Sequence, residues 1–116
     1  MRVLICFDCD GTIFTTDRFG PDVPASQHPV PLERIHALAR AGAHIVVVSP
    51  SDACDGLPYP RILTSSGKTV PDRVEALREA ARRYPADLHL YISDNRGDDQ
   101  VALQAGFTYL HPDNFR

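Results

Sequence analysis

Three runs of five residues constrain this chain most: VLICF at 3–7, HIVVV at 44–48 and LHLYI at 88–92, each closed abruptly by polar side chains. An almost unbroken apolar run of strand length suits a strand covered on both faces, as in a parallel sheet. Between them lie segments with helical spacing. Leu32, Ile35 and Leu38/Ala39 line one face of a helix over 32–41, with Pro31 before it and Gly42 as its stop. A second helix runs from Pro71 to about Tyr84 and is stopped by Pro85. A short third spans Asp98 to Ala105, with Gly106 behind it.

Weaker strands are expected at 61–64 and 107–110, and residues 111–116 read as a tail. The crossover from Ser51 to Pro60 is too short for a helix and reads as a loop. The stretch from Thr15 to Pro31, broken by Pro21, Pro24, Pro29 and Pro31, reads as a long loop or flap. Strands alternating with helices imply right-handed βαβ units. The expected fold is therefore α/β: a doubly wound, Rossmann-like, five-stranded parallel sheet with helices on both faces.

With 116 residues the chain fits a single domain over 1–116. Folding should bury roughly 65% of the unfolded surface. A net charge of −3 provides no broad basic surface for nucleic acid, and no apolar run approaches a membrane span. Met1-Arg2-Val3 begins no secretory signal. Cys6, Cys9 and Cys54 have no metal-ligand spacing and read as free thiols in a reducing cytosol, so a cytoplasmic protein is expected. Lys68 is the single lysine beside eleven arginines, which suggests a position that wants a compact ammonium.

In such sheets ligands bind at the carboxyl ends of the strands. Asp8 and Asp10 follow the first strand, Ser49 the second, and Asp94 and Asp98 the fourth, while Lys68 precedes the second long helix. Carboxylates gathered in one pocket repel unless a cation sits among them, and oxygen-only donors favour Mg²⁺. A lysine, a hydroxyl and loop N–H groups complete a setting for a phosphoryl group, which an Asp can attack. Taken singly each motif is ordinary: Asp-X-Asp-Gly is a common turn, and Asp98 can serve merely as a helix cap. Their joint order is what carries the reading.

That order resembles the haloacid-dehalogenase-like (HAD) phosphohydrolase superfamily over essentially the whole chain. FDCDGTIF is similar to the first motif, hhhDxDGT; VVVSP to the second; GKTVPD to the third; and YISDNRGDDQVALQAGF to the fourth, GDxxxD, with Ser93 in place of its usual Gly. The resemblance implies Asp8 as nucleophile and Asp10 as acid and then base. It implies Ser49 and Lys68 on the phosphoryl group, and Mg²⁺ held by Asp8, the Asp10 carbonyl and Asp94, with Asp98 behind them or acting through water. It further implies a phosphatase core without a cap domain. The open cleft suits macromolecular substrates such as phosphoproteins or polynucleotide ends, or smaller phosphates if the protein oligomerises. Two alternatives stand beside it. A receiver domain of two-component signalling shares length and architecture but carries its phospho-accepting Asp at the third strand, where this chain has Thr64-Ser65-Ser66. A HAD-like binding protein without turnover would not need Asp10.

Overall fold

The computed structural model describes residues 1–9, 12, 30–49, 54, 56–62, 69–94 and 97–115. The strands are β1 (Val3–Phe7), β2 (His44–Val48), β3 (Arg61–Ile62), β4 (Leu88–Ile92) and β5 (Thr108–Leu110). The helices are α1 (Leu32–Arg40), α2 (Val70–Arg83), α3 (Asp98–Ala105) and α4 (Pro112–Phe115). All four strand pairings are parallel, in the order β3-β2-β1-β4-β5. This is the doubly wound α/β sheet that the strand and helix pattern implies.

Alternation within each apolar run divides the core in two. Leu4, Cys6, Val46, Val48 and Tyr91 face α2 and α3, packing on Val74, Leu77, Ala80, Val101 and Ala102. Ile5, Phe7, Ile45, Val47 and Ile92 face the other way, toward Ile35 of α1 and Phe115 of α4. Since a β-strand directs successive side chains to opposite faces, both sets must be apolar. The strands therefore read as continuous runs rather than alternating ones.

Helix boundaries follow local chemistry. Thr69 caps α2, its Oγ1 accepting from the Asp72 N–H at 3.3 Å, with Pro71 in the first turn. Gly106 ends α3 with φ +81°, a left-handed conformation that glycine adopts without the cost a side chain would impose. The third strand is expected over 61–64 and is described only at 61–62, and the fifth begins one residue late, at Thr108.

The expected tail instead contains α4. The Asn114 N–H donates to the His111 carbonyl at 2.9 Å, and Phe115 is buried edge-on against Phe7, ring centroids 5.5 Å apart. The Arg34 guanidinium lies over the Phe115 ring, 5.0 Å from its centroid. Four residues are too few for a hydrophobic period to register in sequence, and tertiary burial of one aromatic ring sets this turn.

Candidate active site

The chain leaves β1 outward through β2 to β3, then returns to place β4 on the other side of β1. The reversal of strand order falls between β1 and β4, the place where sheets of this kind form a crevice at the carboxyl ends of their strands. Asp8 immediately follows β1 and Asp94 stands two residues beyond β4. The Asp8 N–H continues the ladder onto the Ile92 carbonyl at 3.1 Å, which fixes its backbone at the crevice. Asp8 is 8% exposed, whereas Asp94 is open to solvent. Ser49 is buried one residue beyond β2, its N–H donating to the Ile62 carbonyl at 3.3 Å and its own carbonyl accepting from Arg61 Nη1 at 3.4 Å.

Thr12 joins the β1 and β4 sides. Its fully buried hydroxyl accepts from the Asp94 N–H at 3.1 Å and lies 3.4 Å from Asp94 Oδ1 as donor. Its backbone N–H donates to the Cys9 carbonyl at 3.3 Å, closing a turn over 9–12. Its carbonyl accepts from the Val30 N–H at 3.0 Å, so the long segment between Thr12 and Val30 departs and returns at one point. The flap expected over 15–31 otherwise falls outside the described residues, as do Asp10 and Lys68.

Asp98 has no exposed surface. One oxygen pairs with Arg73 of α2; the other accepts from the Tyr91 hydroxyl at 3.1 Å and from the Ser93 hydroxyl. The Tyr109 hydroxyl donates to the Ser93 carbonyl at 2.6 Å. This cluster therefore braces Tyr91 within β4 and Ser93, the one residue between β4 and Asp94. The Ser93 hydroxyl thus donates to Asp98 and ties the end of β4 to the start of α3. Burial, with the charges of Asp98 and Asp8 adding to it, holds the Tyr91 phenol well above its ordinary range. Burial and the charges of Asp98, Asp99 and Asp94 likewise raise Tyr109.

The cysteine expectation needs correction. Cys9 and Cys54 are joined by a disulfide, their Cα atoms 6.2 Å apart, and only Cys6 is a free thiol, buried in the sheet. The 9–12 turn meets a second turn at 54–57, closed by the Leu57 N–H on the Cys54 carbonyl at 3.0 Å. Sequence spacing does not report proximity across 45 positions. The expectation of a cytoplasmic protein rested on free thiols, and the bridge removes that basis. Among the described residues, no helix is long and apolar enough to cross a membrane.

Asp8 and Asp94, one carboxylate from each side of the crevice, are hard oxygen donors of the kind Mg²⁺ takes. No group of three or more potential metal-ligating side chains occurs among the described residues; Asp10, expected to contribute its backbone carbonyl, is not among them. Sequence reasoning found Asp8, Ser49, Asp94 and Asp98 at or behind the rim. It missed Arg73, Tyr91 and Tyr109 as the partners around Asp98 and Ser93, which carry no spacing signal. For the bridge, one signal was available: Cys9 and Cys54 both stand in loops, whereas Cys6 sits inside a strand.

The fold and the rim define a doubly wound α/β protein with carboxylates at its topological switch point. No family model matches the chain, and neither does any curated protein or solved structure.

Proposed function

We propose that the chain is a Mg²⁺-dependent phosphomonoester hydrolase of the HAD type, acting through an aspartyl-phosphate. The observation that carries this reading is the placement of Asp8 and Asp94 on either side of the sheet's switch point, bridged by Thr12 of the same Asp-X-Asp-Gly-Thr segment.

In the proposed reaction an Asp8 carboxylate oxygen attacks phosphorus in line with the leaving oxygen, which takes a proton from Asp10. Asp10 then removes a proton from water as that water attacks the acyl-phosphate, releasing inorganic phosphate and freeing Asp8. The Ser49 hydroxyl and the Lys68 ammonium hold phosphoryl oxygens, and the Cys9 and Asp10 N–H groups add donors. Asp8, Asp94 and the Asp10 carbonyl would hold Mg²⁺, with Asp98 supporting through Ser93. When bound, the ion supplies positive charge that offsets the phosphoryl oxygens. Substrates with bulk of their own, such as phosphoprotein or polynucleotide ends, suit a core without a cap. Smaller phosphates suit it where a second copy covers the cleft.

The test is hydrolysis of p-nitrophenyl phosphate, abolished by EDTA and restored by Mg²⁺. Asp8→Asn should form no phosphoenzyme. Asp10→Asn should lose roughly 10²- to 10⁴-fold in turnover, and any phosphoenzyme it does form should persist. Wild-type turnover in Asp8→Asn would overturn the reading.

A further inference from the structure

Cys9 lies between the two aspartates of the motif, and the covalent bond it makes leads away from them, into the β2–β3 crossover. Both cysteines are buried, at 0% and 1% exposure, within the apolar cluster that also contains Phe7, Val47 and Leu57. The bond joins two hydrogen-bonded turns, 9–12 and 54–57. The first of these presents Asp8 at one end and Thr12 at the other, and Thr12 holds the Asp94 backbone. The second follows Ser49 by five residues in a crossover that has no helix among its described residues. Among the described residues no helical stripe anchors this turn, and the bridge ties it covalently to the β1 side.

We propose that Cys54 is a positioning residue for the phosphatase reaction: through its disulfide to Cys9 it clamps the Asp8–Thr12 turn against the Ser49 crossover, so the oxidised form is the competent one. The inference rests on the phosphatase reading for its activity arm. Reduction consumes two equivalents of a small thiol. The first attacks one sulfur, breaking the protein S–S bond and releasing the other cysteine as a thiolate that takes up a proton. The second resolves the mixed disulfide, so the protein gains two S–H groups and the reductant becomes its own disulfide. Because both sulfurs are buried, this exchange requires the 54–57 turn to open first.

The experiment uses the full chain equilibrated in a mixture of oxidised and reduced small thiol, then split and fully reduced in one half. Alkylation after denaturation should count one thiol, Cys6, in the oxidised half and three in the reduced half. With p-nitrophenyl phosphate and Mg²⁺, reduction should lower kcat roughly 10- to 100-fold, since a misplacement near 1 Å has effects of that size. KM should move less than about threefold, reoxidation should restore kcat, and Cys9→Ser/Cys54→Ser should no longer respond to reductant. Hydrogen exchange supplies a readout free of activity: peptides covering 9–12 and 54–57 should exchange at least about tenfold faster once reduced, with β4 unchanged. Three thiols in the oxidised half overturn the proposal. So does a reduced protein that is folded and has lower thermal stability but unchanged kcat and exchange. If the thiol count and exchange behave as expected while neither half hydrolyses any phosphomonoester, the clamp is upheld and the phosphatase reading falls.

Discussion

The two flanks of β1 hold the same kind of feature, a loop bearing polar residues at the sheet's carboxyl edge, by different chemistry. On the β4 side the chain folds through α3 back into β5, and that helix brings Asp98 beneath Ser93, where Arg73, Tyr91 and Tyr109 complete a buried polar cluster. On the β2 side the crossover holds no helix among its described residues, β3 is described over Arg61–Ile62, and a covalent bond does the fastening. A helix can deliver a side chain to a fixed depth because packing on the sheet determines its position. A short loop has no comparable buried face, and the loss of chain entropy on ordering it must be offset locally. The hydrogen-bonded flank is the one with a helix in its crossover, and the cross-linked flank the one with none among its described residues.

The comparison breaks most sharply at Asp98. Asp98→Ala removes a fully buried carboxylate that pairs with Arg73 and accepts from the Tyr91 and Ser93 hydroxyls, at an expected cost of about 3–5 kcal/mol. Urea unfolding measures it, and Asp98→Asn, which keeps an acceptor oxygen, should lose less. Equal losses in both variants would mean that the charge, which both remove, and not the shape, which Asp98→Asn keeps, matters at this position.

Reducing the Cys9–Cys54 bond tests the other flank. The bond closes a loop spanning 45 positions, for which chain-entropy arguments give a stabilisation of about 4 kcal/mol at most, native strain subtracting from it. The difference in urea midpoint between oxidised and reduced protein reports it. A difference near zero would show that the apolar packing around Leu57 and Ile45 already fixes the crossover.

The smallest effect concerns pH and belongs to the hydrogen-bonded flank alone. The folded state raises the Tyr91 phenol above its ordinary value of 10.0, so it binds that proton more tightly than the unfolded chain does. Its contribution is complete below pH 10 and is lost as the pH climbs toward the raised value. Stability should therefore fall above pH 10, and Tyr91→Phe should make the fall shallower by up to about 1.4 kcal/mol per pH unit. Unfolding between pH 9 and pH 11 measures the slope. An unchanged slope in Tyr91→Phe would assign the alkaline loss to Tyr109 or Cys6, both of which burial also raises.

Sequence and tertiary structure divided the remaining decisions along the range of the forces involved. VLICF, HIVVV and LHLYI are legible as covered strands because a strand buried on both faces has to be apolar at every position, whatever surrounds it. Gly106 and Pro71 mark helix ends through local backbone chemistry, and the abrupt polar residues after each run place Asp8, Ser49 and Asp94 at one edge of the sheet once the strands are parallel. All of this follows from interactions within a few residues, which the order of amino acids states directly. Tertiary structure decided what depends on meeting across the sheet. It gave Asp98 to Arg73 and Ser93, tied Thr12 to Asp94, turned the last residues into α4 by burying Phe115 on Phe7, and made two of the three expected free thiols a bridge. Each of those joins side chains whose proximity is created only by the strand order β3-β2-β1-β4-β5, and a linear sequence has no local term that encodes a distance across 25, 45 or 82 positions.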